Sequence, residues 1–271
     1  MIRLAVRCRP DLAEQVLAEL VQLAPGGVEE ERGDGYVEYA IYGAEGELPA
    51  LGRLEAAIGD GRIEVTSDRV PDDWADRWRD FHEPLLVGGR LLVRPSWEPV
   101  REGVADVVID PGAAFGTGAH PTTRLCLELL LELEADEGAA GAFADWGTGS
   151  GVLAIAAARL GWSPVVACDH EAGALQAAAF NAEANDVEIE LTHANLRAEA
   201  PPPAPTVTAN ITAPVLLAVA ERLEAVPRRL ICSGLLGPEV DAVTAAFGRH
   251  GLLERGGRTD GDWYALLLAL A

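Results

Sequence analysis

The sequence predicts an α/β protein in which a doubly wound, mostly parallel sheet, closed by an antiparallel C-terminal hairpin, follows a smaller α+β domain. Three observations predict it. From about Asp106 onward, short apolar runs alternate with helical segments, the pattern of successive βα units. Before Val70 the segments instead read strand, helix, strand, strand, helix, strand. Between the two, Trp74, Trp78, Phe81 and Trp97 gather with Pro84, Pro95 and Pro99.

In residues 1–70, strands are expected at Ile2 to Cys8, Gly27 to Arg32, Tyr36 to Tyr42 and Arg62 to Ser67, with helices at Asp11 to Leu23 and Glu47 to Ile58. Asp11 has the chemistry of an N-cap, and Leu12, Val16, Leu17 and Leu20 share one helical face. Gly33-Asp34-Gly35 provides a hairpin turn. This order is the split βαβ, ferredoxin-like unit, and it carries no obvious catalytic residue. Residues 71–105 read as an aromatic-rich linker in which Leu85 to Val87 and Leu91 to Arg94 can pair about Gly88-Gly89. Its rings either plug the joint between two domains or grip a substrate.

Residues 106–271 alternate helices at Thr122 to Glu134, Gly151 to Leu160, Glu171 to Asn185, Pro214 to Ala225 and Pro238 to His250 with strands at Phe143 to Asp145, Val165 to Asp169, Ile189 to His193, Val207 to Ala209 and Leu230 to Ser233. Leu252 to Arg258 and Trp263 to Leu270, joined by Thr259-Asp260-Gly261-Asp262, form the closing hairpin. The proline run from Glu199 to Pro205 reads as an exposed, stiff loop.

Composition narrows the function. The 271 residues are 49% hydrophobic and 24% charged, enough to bury a full core. No apolar run approaches the ~20 residues that span a bilayer, and the N-terminus lacks the apolar core and cleavage site of a secretion signal. A cytoplasmic monomer with no membrane association is expected. Cys8, Cys126, Cys168 and Cys232 are far apart and have no metal-ligand or disulfide spacing, so buried free thiols are expected and no metal site. The formal charge of -22 opposes a phosphate backbone, so direct nucleic-acid binding is not expected; it would attract a basic protein, or serve solubility alone. All basic residues are Arg, which excludes a Schiff base or a lysine general base.

The chemistry concentrates at Asp145-Trp146-Gly147-Thr148-Gly149-Ser150-Gly151, between an apolar strand and an apolar helix. Glycine lets the backbone turn sharply and a ligand approach closely, and the helix N-terminus offers unpaired N–H groups. Asp169 follows Gly147 by 22 residues, at the end of the next strand, where a carboxylate can accept the ribose hydroxyls of an adenosine. A dinucleotide site needs G-x-G-x-x-G to admit a pyrophosphate. Gly147, Gly149 and Gly151 give G-x-G-x-G, and Asp145 can face the amino group of a methionine-like tail. The spacing favours S-adenosylmethionine over NAD. Upstream, the glycine-rich loop from Ile109 to Thr123 enters a helix that Thr122 or Thr123 could cap. Within it, His120 could relay a proton or simply bond the backbone of its turn. Downstream, Asn210 stands at the carboxyl edge of a strand, where open α/β sheets bind ligands, or else caps the helix near Pro214.

These pieces together resemble the PrmA family, the methyltransferases of the ribosomal stalk-base protein, over nearly the whole chain. The matching residues are Trp74, Trp78, Phe81 and Pro95-Ser96-Trp97, Asp110-Pro-Gly with Ala114-Phe-Gly-Thr-Gly and His120-Pro-Thr-Thr, the glycine motif, Asn181 with Asn185, Ala209-Asn-Ile and Ser233-Gly-Leu-Leu. The resemblance implies a Rossmann-like class I methyltransferase domain, cofactor contacts at Thr123, Gly147, Asp169 and Asn210, and an N-terminal domain that recognises a basic ribosomal large-subunit protein. It also implies methyl transfer to amino groups, either lysine side chains or the N-terminal amine. The chain departs from the family at Asp169-His-Glu-Ala172, where proline is usual in the last position, and at Asn210-Ile-Thr-Ala-Pro214. A methyltransferase of the same scaffold acting on a small molecule or another protein is the alternative.

For the reaction itself, an amine must be neutral to accept a methyl group, whereas a free lysine amine has a pKa of ~10.4. The side-chain carbonyl of Asn210, with a nearby backbone carbonyl, is suited to accept the amine's hydrogens and aim its lone pair.

Overall fold

The computed structural model describes residues 2–13, 16–17, 20, 29–33, 35–43, 48, 52–58, 61–69, 83–110 and 120–271. The chain divides into two units, Met1–Phe81 and His82–Ala271.

In the first unit, β1 (Ile2–Cys8), β2 (Glu29–Gly33), β3 (Tyr36–Gly43), β4 (Gly52–Ile58) and β5 (Gly61–Arg69) form one antiparallel sheet in the order β2-β3-β1-β5-β4. Alternation along β1 and β3 sends Leu4, Val6, Cys8, Val37, Tyr39 and Ile41 to one face, where Ala13, Val16 and Leu20 cover them. The expected helical face therefore packs on the sheet. On β3 the intervening Glu38 receives Arg3 and Arg7 of the neighbouring strand, each at 2.9 Å. The backbone of Asp11 lies inside a short 3₁₀ turn, Pro10–Leu12, that Arg9 precedes. The helix expected from Glu47 to Ile58 is overturned, because residues 52–58 are a strand. Only Gly59-Asp60 separates Ile58 from Gly61, its partner, so the chain folds back and pairs from Gly52 to Ile58 with β5. Those ladder bonds outweigh the helix preference of Leu54, Glu55 and the two alanines. Trp74, Trp78 and Phe81 lie outside the described residues.

The second unit holds a seven-stranded sheet: β9 (Phe143–Trp146), β10 (Val165–Asp169), β11 (Glu190–His193), β12 (Thr206–Asn210), β13 (Arg229–Leu236), β14 (Leu252–Asp260) and β15 (Trp263–Leu270). Their order is β11-β10-β9-β12-β13-β15-β14, and β15 alone runs against the direction of the other six. The helices α1 (Pro121–Glu137), α2 (Val152–Leu160), α3 (Ala172–Ala184), α4 (Ala213–Glu221) and α5 (Val240–Gly248) join them. This is the doubly wound sheet with its closing hairpin. The order reverses between β9 and β12, which opens a crevice at the carboxyl ends of those strands.

Residues 83–105, read as part of the joint, are folded into this unit. β6 (Leu85–Val87), β7 (Leu91–Arg94) and β8 (Ala105–Val108) form a small sheet, with β7 and β8 parallel. Val87, Leu91, Val93 and Val107 share one core cluster with the leucines of α1, which also reaches Ile231 and Ala265 of the large sheet. Covered on both sides, α1 confines its charges to one stripe, Arg124, Glu128 and Glu132, and to its last turn. Arg94, 8% exposed, grips Asp106 through two bonds of 2.7 Å and donates to the Glu98 carbonyl at 2.6 Å. The proline run is less exposed than its composition suggests: Pro201 is buried and the Pro202 carbonyl accepts from the Trp146 indole at 3.0 Å. All four cysteines are buried and free. Among the described residues, no helix is long and apolar enough to cross a membrane.

Candidate active site

The site is built where β9, β10 and β12 end. After β9 the chain turns through Gly147, Gly149 and Gly151, with φ of 76°, 54° and 85°. These are left-handed values that glycine alone adopts without cost. A Cβ on Gly147 would also stand 2.3 Å from Cγ2 of Ile211. The Cys168 carbonyl accepts the N–H groups of Gly147 at 2.9 Å and Thr148 at 3.0 Å, which pins the loop to β10. Gly151 then opens α2.

Asp169 ends β10 with one oxygen accepting the Gly149 N–H and the other the Glu171 N–H, each at 3.0 Å. Its carboxylate thus orients the glycine loop and the start of α3 together. The second bond satisfies a donor at the helix entrance, where Glu171 gives no side-chain cap.

Asp145 is only 1% exposed. Its two oxygens accept from the hydroxyls of Thr148 at 2.7 Å and Thr208 at 2.6 Å. Burial pushes its carboxyl up to about 6, against the opposing pull of the Thr208 and Thr148 hydroxyls. Asp145 therefore lies behind the glycine loop, already bonded, and not on an open wall of the crevice.

Asn210, the last residue of β12, donates through Nδ2 to Oγ1 of Thr123 at 3.3 Å. It does not cap α4, whose N-cap is Thr212. Thr123 is 1% exposed in the first turn of α1. The cap of that helix is His120 and not Thr122 or Thr123: Pro121 occupies the first helical position, and the His120 ring accepts the Thr122 N–H at 3.4 Å. His120 also lies edge-on to Trp263, with ring centroids 5.1 Å apart, and burial lowers its pKa. The backbone-bonded alternative describes it.

Three supporting residues had no role assigned from the sequence, two of them, Asn181 and Asn185, standing there only as part of the family resemblance. Asn181 donates to the Ser150 carbonyl at 2.8 Å and accepts the Asp110 N–H at 3.4 Å. Asn185 bonds both backbone groups of Val108, at 2.7 and 2.6 Å. Two asparagines one turn apart in a helix, where asparagine is disfavoured, were the available signal. Thr208, beside Asp145 across the strands, gave none. An open depression of about 530 Å³, lined by Val165, Ala182, Val187, Ile189 and Leu191 among others, lies where β10 and β11 begin, at the opposite end of the strands.

The sequence profile of the PrmA family, described as ribosomal protein L11 methyltransferase, matches residues 27–270. The chain belongs to the PrmA family. It is similar to the ribosomal protein L11 methyltransferase of Symbiobacterium thermophilum, 42% identical over 202 residues that make up 72% of this chain and 65% of that protein. The protein of that name from Pelotomaculum thermopropionicum is 40% identical over 245 residues, 83% of this chain and 79% of the relative. Among solved structures, the ribosomal protein L11 methylase of Lactobacillus delbrueckii subsp. bulgaricus superposes with a TM-score of 0.62 at 28% identity, covering 70% of this chain and 99% of that one. PrmA proteins are S-adenosylmethionine-dependent methyltransferases, and the Rossmann-like sheet described above is the class I methyltransferase scaffold. The glycine cradle and the carboxylate of Asp169 at neighbouring strand ends suit an adenosine with a methionine tail.

Proposed function

We propose that this chain methylates amino groups of ribosomal protein L11, lysine side chains or the N-terminal amine, with the cofactor held around Gly147, Gly149, Gly151 and Asp169 and the acceptor amine aimed by Asn210. One observation carries the proposal. The glycine loop, Asp169 and Asn210 stand at the carboxyl ends of β9, β10 and β12, and the Thr123 hydroxyl fixes the Asn210 amide.

When bound, S-adenosylmethionine supplies an electrophilic methyl group on a sulfonium. The chain supplies everything else. Asp169 retains acceptor capacity beside its two N–H bonds for the ribose hydroxyls, and the N-terminus of α2 attracts negative groups of the tail. Asp145 acts on the tail's ammonium from behind the loop. With Nδ2 of Asn210 committed to Thr123, Oδ1 is the atom the residue offers to an amine. Accepting hydrogens there favours a lone pair directed at the methyl, and a water-poor crevice lowers the amine's pKa. Residues 1–70 are proposed to recognise the protein substrate and residues 106–271 to carry the cofactor. The formal charge of -22 supports recognition of a basic protein over direct contact with nucleic acid.

The test is methyl transfer from labelled S-adenosylmethionine into ribosomal proteins from an unmethylated source, resolved by mass spectrometry. Label on the amino groups of L11 is expected. Asn210→Ala should lose turnover far more than cofactor affinity, and full turnover in that variant would remove Asn210 from the reaction.

A further inference from the structure

A buried polar seam runs under α1, from the glycine loop to the acceptor strand. Thr148 lies in the loop, Asp145 is the next-to-last residue of the strand before it, and Thr208 stands directly across from Asp145 in the β9–β12 register. Two residues beyond Thr208, Asn210 meets Thr123. Thr208 is fully buried, Asp145 is 1% exposed and Thr148 5% exposed, so no solvent stabilises the carboxylate. A charge in that position needs hydrogen bonds to persist. It receives one hydroxyl from each side, at 2.6 and 2.7 Å.

We infer that Thr208 is a positioning residue for cofactor binding: with Thr148 it keeps the Asp145 carboxylate ionised behind the glycine loop, and loss of that ionisation weakens the loop's hold on a cationic methionine tail. The inference rests on the S-adenosylmethionine site proposed above and adds a residue and a pH dependence to it.

The surroundings of Asp145 isolate its titration. From β10 it faces Asp169 and the thiol of Cys168, which burial pushes up to about 12. From α1 it faces the Cys126 thiol, raised well above its usual value by burial. From α2 it receives the Ala154 backbone N–H. Both thiols are neutral across the range in which Asp145, near 6, gains its proton. Asp169 is the other carboxylate present, and Thr208 does not touch it. A shift that follows Thr208 is therefore a shift of Asp145.

The experiment is calorimetric titration of the full chain with S-adenosylmethionine between pH 5 and 8.5, without any methyl acceptor. Wild type should bind with an affinity that falls about tenfold per pH unit below a midpoint near 6. Removing a hydroxyl that favours the charged form should raise that midpoint. Thr208→Val is thus expected to bind several-fold more weakly than wild type at pH 6.5 and nearly as well at pH 8.5, while Thr208→Ser follows wild type. Thr148→Val should shift the midpoint in the same direction and serves if Thr208→Val does not fold by thermal melting. Uniform weakening of Thr208→Val at every pH, with an unmoved midpoint, would show a structural part only and overturn the inference. A valine variant indistinguishable from wild type would overturn it too. Absence of binding by wild type at every pH would instead reject the cofactor site on which the inference stands.

Discussion

Thr123 in the first turn of α1 and Asn210 at the end of β12 are 87 positions apart and meet at 3.3 Å between Oγ1 and Nδ2. The bond decides which end of the amide faces the crevice. Thr123→Val keeps the shape and removes the acceptor, so the amide is free to turn. Displacement of a positioning group by about 1 Å costs up to ~100-fold in rate. We expect kcat with L11 to fall about tenfold or more, with KM for L11 changed little, and Thr123→Ser to restore it. Equal kcat in the valine and wild-type enzymes would contradict this.

Gly147 is constrained twice over. Its φ of 76° costs a side chain about 1–2 kcal/mol, and an added Cβ would lie 2.3 Å from Cγ2 of Ile211. Gly147→Ala should lower the melting temperature and weaken cofactor binding. Adding Ile211→Ala relieves the clash and leaves the dihedral, so the double variant should recover part of the stability. A double variant no more stable than Gly147→Ala alone would place the whole cost in the backbone.

Asp145 opposes folding stability at neutral pH. Its folded pKa of about 6 lies above the ordinary 3.8, so its stabilising contribution is complete below pH 3.8 and is lost as pH rises through about 6. The gap corresponds to about 3 kcal/mol. Asp145→Asn, uncharged at every pH, should therefore gain stability over wild type as pH rises from 4 to 7, while its cofactor affinity falls. Urea unfolding of both proteins at several pH values measures the gap. If it stays constant with pH, the carboxylate is not the strained group.

The parts of this site that lie in one stretch of sequence were legible, and the parts joined only by folding were not. The G-x-G-x-G turn, Asp169 and Asn210 are each fixed by local pattern, because a strand end followed by glycine or a cap has a chemical signature of its own. Thr208 and Asp145 are 63 positions apart, and nothing near Thr208 marks it. The same division holds for the fold. Alternating apolar runs gave the seven-stranded sheet and its hairpin, whereas β8, only four residues long and interrupted by Asp106, is a strand because β7 pairs with it and Arg94 grips that aspartate. In β4, pairing with β5 overrode the residues' own helical preference.

Asn185 shows how such a cross-link holds the site from behind. It is 5% exposed at the end of α3, yet its amide bonds the N–H and the C=O of Val108 as a neighbouring strand would. The same Nδ2 donates to the Asn181 carbonyl at 2.7 Å, and the Asn181 side chain joins Ser150 of the glycine loop to Asp110. Removing the Asn185 amide strands two backbone groups at about 1–3 kcal/mol each, less whatever water can reach. Asn185→Ala should therefore unfold at distinctly lower urea, by about 3 kcal/mol. Asn185→Asp, which keeps the acceptor for the Val108 N–H and loses the donor, should fall between. Because the strain is passed through Asn181 to the glycine loop, cofactor affinity should drop in the same order. A large loss of stability with unchanged affinity in the surviving folded protein would mean that β8 and the glycine loop are held independently.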